Sequence, residues 1–141
     1  MCWTALSAIG TIIAAFVGIA GIWLNIWDKK KRLKASFEAI PSFSIYISNA
    51  SLRSVIITKI VCTVDNHVFY VKVYDGLQEV CLNPASVKKI EISKQEIYDE
   101  YYKCQLDALC NPNDEVVMIL HDNYDRKYKI KTGFGISAFK Y

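Results

Sequence analysis

Histidine is scarce in this chain: His67 and His121 are the only two among 141 residues. The five cysteines, Cys2, Cys62, Cys81, Cys104 and Cys110, contain no CxxC pair and no regular spacing. A tetrahedral metal centre needs such ligands at short, repeated intervals, so no metal site is expected. There is no glycine-rich phosphate loop, and no Ser, His and Asp set stands within a supporting motif. Catalysis by either route is therefore not expected. His121 beside Asp122 has the form of a base and its orienter. At a strand end leading into a turn, that pair reads as solvated. The chain is not expected to be an enzyme, and nothing in it implies a cofactor.

The most informative absence is of charge. From Met1 to Trp27 there is no charged side chain. An apolar run of about twenty residues or more is long enough to cross a bilayer as a helix. A cleaved signal peptide has a basic start and a shorter apolar core. Here the basic residues come afterwards, as Lys29, Lys30, Lys31, Arg32 and Lys34. The expectation is an uncleaved anchor, with Trp3 at one interface and Trp23 and Trp27 at the other. The positive-inside rule then places the amino terminus outside and the rest in the cytoplasm. The same collar suits anionic headgroups, so the lipid bilayer is the first partner expected.

The collar also explains the net charge of +3. Residues 28–34 carry five bases and one acid, whereas Ala35 onward carries twelve Lys/Arg against thirteen Asp/Glu. A near-neutral domain does not coat duplex nucleic acid. The expected organisation is a spanning helix with its collar over 1–34 and one domain over 35–141. In a reducing cytoplasm the domain cysteines are expected to be small buried or half-buried hydrophobes.

Within the anchor, Ser7, Thr11, Ala14, Gly18, Gly21 and Asn25 recur at spacings of four and three, and Gly10 begins an overlapping small-residue ladder. Membrane helices associate through small residues that let backbones approach, aided by Ser, Thr and Asn hydrogen bonds. A self-associating helix, and so a homo-oligomer, is expected. A lone anchor with such residues scattered by chance is the alternative.

After the collar the helix is allowed to run on, with Pro41 as its latest end. The period then changes. Phe43, Ile45 and Ile47 alternate with Ser42, Ser44, Tyr46 and Ser48, which predicts a strand. Further strands are predicted over 54–64, 68–74, 80–82, 86–92, 116–121 and 127–132, with turns at Asp65-Asn66 and Asp122 to Asp125 and a break at Asp75-Gly76. Phe134, Ile136 and Phe139 extend the last. Ser93-Lys94-Gln95-Glu96 is a capping box opening a short helix, with Ile97, Tyr101 and Cys104 on one side. The fold class expected is a single transmembrane α-helix followed by a mainly-β domain. That domain reads as an antiparallel β-sandwich of about seven strands with one short helix.

The basic-collared anchor, the strands Ser44-Ile45-Tyr46-Ile47-Ser48-Asn49 and Ser54 to Ile60, the Leu82-Asn83-Pro84 turn and the closing hairpin at Asp122 to Lys127 carry a resemblance. Together they resemble the small bacterial single-pass proteins that hold an immunoglobulin-like sandwich on the cytoplasmic side. Proteins of that plan resemble effector or accessory components of prokaryotic antiphage defence. The resemblance implies an oligomeric, channel-like membrane effector in the inner (plasma) membrane, whose sandwich senses a ligand or partner. The alternative is a tethered recruitment or inhibitor module without conduction.

Charge within the domain is segregated. Nine acids against two lysines fall in 91–125, whereas 126–141 holds Arg126, Lys127, Lys129, Lys131 and Lys140 with no acid. Lys127, Lys129 and Lys131 alternate, so they share one strand face. That face is solvated, or it meets lipid headgroups, a phosphorylated nucleotide-type ligand with help from Arg126, Lys88 and Lys89, or the acidic segment of the same or a neighbouring copy. The tyrosines nearby, Tyr98, Tyr101, Tyr102, Tyr124 and Tyr128, read as packing, with base stacking the alternative.

Overall fold

The computed structural model describes residues 2–28, 33–39, 42–74 and 80–140, and not the side chains of Cys2, Trp3, Thr4 and Asp28. Lys29, Lys30, Lys31 and Arg32 of the collar, Pro41 and the Asp75-Gly76 break lie outside the described residues. The chain divides into two units, Met1–Arg32 and Leu33–Tyr141.

The first unit is the helix α1, Cys2–Asp28. Its stretch Ala5–Trp27 has 23 residues, and the most apolar 18 of them average a hydropathy of 2.2, which makes it long and apolar enough to cross a membrane. At 1.5 Å per residue it reaches about 35 Å, against a hydrocarbon core of about 30 Å. Trp23 and Trp27, one turn apart, stack with ring centroids 6.2 Å apart.

The second unit is mainly β. One antiparallel sheet orders its strands β1-β2-β6, with β1 at Leu33–Glu38, β2 at Ser44–Asn49 and β6 at Val87–Glu91. The other runs β4-β3-β7-β8: β3 is Val55–Val64, β4 His67–Val73, β7 Glu115–Asp122 and β8 Lys127–Gly135. The short β5, Val80–Leu82, pairs with the start of β3. Alternation makes the core. Ile45, Ile47 and Ile90 from the smaller sheet meet Ile57, Ile60, Met118, Leu120 and Ile130 from the larger, all buried in one cluster. Each fully buried Ile or Leu contributes about 1.5–3 kcal/mol.

Among the described residues the strands number eight, one more than the sequence predicts. The addition is β1, which pairs along its whole length with β2 from Leu33↔Asn49 to Glu38↔Ser44. The helix therefore does not continue toward Pro41, and the domain starts at Leu33, two residues before the expected boundary. Leu33, Ala35 and Phe37 alternate with Lys34, Ser36 and Glu38, but the adjoining charge run hides this period.

Local chemistry fixes the rest. Asp65 and Asn66 both take positive φ, 45° and 65°, which closes the β3–β4 hairpin with a two-residue turn of the favoured hand. The capping box holds: Ser93 Oγ accepts from Gln95 N at 3.2 Å, and Glu96 Oε2 accepts from Ser93 N at 3.4 Å. The helix it opens, α2 (Lys94–Lys103), buries Ile97 and Tyr101. Cys104 falls at its C-cap and is exposed, so it does not share that buried face. Cys62 and Cys110 are buried and Cys81 is half-buried. Beyond β8 the chain turns into a 3-10 segment, Ile136–Phe139, which seats Phe139 against Phe43 at 4.8 Å between ring centroids.

Candidate functional site

Two surfaces carry the residues that the sequence singles out. On α1 the described side chains from Ala5 to Trp27 are exposed. Thr11 Oγ1 donates to the Ser7 carbonyl at 2.9 Å, so this polar pair is satisfied within the helix. A Cβ built on Gly10, Gly18 or Gly21 meets nothing within 4 Å. Packing among the described residues of α1 does not require glycine at those three positions.

The second surface is the outer face of the larger sheet. On β8, Tyr128, Ile130 and Thr132 point inward, and Lys127, Lys129 and Lys131 are exposed between them. Strand register extends their rows. Lys131 pairs with Val117, which pairs with Thr63, which pairs with Val68. Lys129 leads through Ile119 and Val61 to Tyr70. Lys127 leads through His121 and Lys59 to Val73. Lys59 Nζ stands 5.4 Å from the centre of the Tyr70 ring. His121 is held below the ordinary imidazole pKa, first by burial and then by the charges of Lys59 and Lys127, which outweigh Asp125 and Asp122.

Arg126 is not part of this face. Its Nε donates to Asp122 Oδ2 at 2.8 Å, and its guanidinium lies over the Tyr124 ring at 4.9 Å. Asp122 is buried, where the sequence predicts a solvated neighbour of His121. Its carboxylate also accepts from Tyr124 N and Arg126 N, each at 2.9 Å, and from the Tyr128 hydroxyl at 3.0 Å. His121 and Asp122 point to opposite faces of β7, so they form no catalytic pair. The signal was in the spacing, because the inward series Val116, Met118 and Leu120 reaches Asp122 next. Among the tyrosines, Tyr101 and Tyr128 are core residues, whereas Tyr102 and Tyr124 are exposed.

Lys88 and Lys89 lie on β6 in the other sheet and do not join the β8 lysines. Lys89 pairs with Glu91 at 2.8 Å. Lys34 is on the outer face of that sheet opposite Ser48, where a shallow groove also touches Ser36, Tyr46 and Val87. Cys110 Sγ is 3.6 Å from His67 Nδ1, but burial pushes the thiol pKa up, which disfavours a reactive thiolate. Burial also pushes the Cys62 thiol up to about 12. Among the described residues no group of three or more His, Cys, Asp or Glu side chains is placed to hold a metal.

No family model matches the chain, and no curated protein sequence matches it. Among solved structures, a crystal structure of a protein from Archaeoglobus fulgidus is similar over 72% of this chain and 96% of that one. The identity is 11% and the TM-score 0.26, and a likeness at that level carries no assignment.

Proposed function

We propose that this chain is an oligomeric single-pass membrane effector, channel-like in plan. Copies associate through α1, and the sandwich lies on the cytoplasmic side, where a ligand or partner shifts the state of the bundle. The observation that carries this reading is the long apolar α1, with glycines that packing among the helix's described residues does not require. Glycine costs about 1 kcal/mol relative to alanine inside a helix. Against a facing copy the same residues permit close backbone contact. The five bases after the span support the orientation. Gating energy in such a device is the ligand's differential affinity for two bundle states.

The test is on the stripe. Gly18→Leu and Gly21→Leu are expected to reduce oligomer size in detergent and to remove any growth or permeability effect. Unchanged size together with intact activity would sink the proposal. Exchange of α1 for an unrelated spanning helix separates the tether reading. If function survives that exchange, the chain is a membrane-tethered recruitment or inhibitor module without conduction.

A further inference from the structure

The outer face of the larger sheet is divided from side to side. Its β4 edge exposes Val68, Tyr70 and Val73. Its β8 edge exposes Lys127, Lys129 and Lys131, and Lys59 adds a fourth cation in the row through His121. The rows between these edges contain no carboxylate. Glu115 lies past one end, where it accepts from the Gly133 amide at 3.1 Å, and Asp125 sits in the turn past the other. The middle is closed, since Val61 is only 2% exposed. A small ligand is usually gripped by polar groups converging in a concavity. This face is instead broad, cationic along one side and apolar along the other.

We infer that this face docks on an anionic phospholipid surface. Lysine ammoniums meet the headgroup phosphates, and Val68, Tyr70 and Val73 enter the layer beneath, a depth at which tyrosine is favoured. The inference rests on the membrane-inserted reading of α1 for its supply of lipid. Only residues 29–32 separate α1 from β1. That is at most about 18 Å of extended chain from Asp28 to Leu33. A bilayer that holds α1 is therefore within reach of this domain. The acidic residues of α2 are the competing partner, supplied by a second copy. They suit the face less well, because Glu100 is already paired with Lys103 and they offer nothing to the apolar edge.

His121 supplies an internal reporter. The groups facing it are Lys59 from β3 and Lys127 from β8, with Asp122 on its own strand and Asp125 in the turn. The two lysines oppose its proton. A sheet of lipid phosphates laid over the face offsets them, so His121 protonates at higher pH on an anionic surface than on a neutral one.

The experiment uses the full chain reconstituted in vesicles of phosphatidylcholine alone or with added phosphatidylglycerol. A water-soluble acylating reagent labels lysines, and mass spectrometry reads the rate at each site. Lys129 and Lys131 are expected to label roughly fivefold more slowly with phosphatidylglycerol present, an effect that high salt removes. Lys140 is the internal control. Tyr70→Ser is expected to lose part of the shielding, which simple counterion attraction would not do. Nuclear magnetic resonance of the His121 ring should show its pKa raised by the anionic lipid. Equal labelling in both lipids overturns the inference. So does shielding that ignores lipid charge and grows with the number of chains per vesicle, because a second copy then covers the face. Alkaline extraction of the same vesicles reports insertion separately. A chain washed off overturns the inserted reading, while lysine shielding before the wash still reports on the face.

Discussion

The guanidinium of Arg126 is bound to the carboxylate of Asp122, Nε to Oδ2 at 2.8 Å, and the Asp122 side chain is fully buried while that of Arg126 is 17% exposed. The pair closes the β7–β8 hairpin from inside, because the same carboxylate takes the amides of Tyr124 and Arg126 and the hydroxyl of Tyr128. Removing one member of such a pair leaves the other desolvated. Asp122→Ala is expected to cost about 3–5 kcal/mol. Arg126→Leu should approach that loss. The measurement is denaturant unfolding of the full chain in detergent, followed by near-ultraviolet circular dichroism. A loss below about 1 kcal/mol for Asp122→Ala would show that the hairpin does not depend on the pair.

Two groups give the domain opposite pH limits. The folded-state pKa of His121 is lowered, so the unfolded chain binds more protons as pH falls. Its contribution is present above about 6.5 and is lost as pH drops below that. Tyr128 is the reverse. Burial and then Asp122 hold its hydroxyl well above the ordinary tyrosine range. Its contribution is full below about pH 10 and fades above it, as the unfolded chain gives up the proton that the folded one keeps. Unfolding curves across pH 5–11 for the wild type and His121→Gln check this. The variant is expected to lose part of the acid-side fall and to keep the alkaline one.

Legibility in the sequence followed the reach of each signal. The span, the capping box at Ser93 and the Asp65-Asn66 turn are local, so neighbouring residues suffice to read them. The exposed lysines of β8 were legible because a period of two needs only one strand. β1 was not, because six residues beside a charge run become a strand only by pairing with Ser44–Asn49. Arg126 belonged by composition with the lysines, yet its side chain is committed to Asp122. Which partner a charge takes is set by tertiary contacts, and the order of residues in the chain does not reveal it.

Leu33 is 8% exposed and belongs to the buried cluster, although it stands inside the basic collar. Leu33→Ala is expected to cost about 2–5 kcal/mol by the same unfolding measurement. Lys34→Ala, one residue on and facing outward, should stay within about 0.5 kcal/mol. Equal, small effects at both positions would return Leu33 to a linker.

Asn49 makes the strongest claim on the end of the sandwich where β1 enters. Its Nδ2 donates to the carbonyls of Arg53 and Leu82, both at 2.8 Å, and its Oδ1 accepts from Ser51 N at 2.9 Å and Ser51 Oγ at 2.6 Å. One buried amide thus ties β2, the loop after it and β5 together. Asn49→Ala removes the side-chain partner of the Leu82 carbonyl and of the Ser51 amide, at about 1–3 kcal/mol for each group that stays dry, while the Ser51 hydroxyl keeps the Arg53 carbonyl at 2.8 Å. Asn49→Asp separates geometry from chemistry: the shape is kept, but both Nδ2 donors become acceptors facing carbonyl oxygens. The aspartate variant is therefore expected to be at least as unstable as the alanine one at neutral pH and to recover as acid protonates it. An aspartate variant as stable as wild type at neutral pH would mean that water enters this site and that the amide is not the clamp.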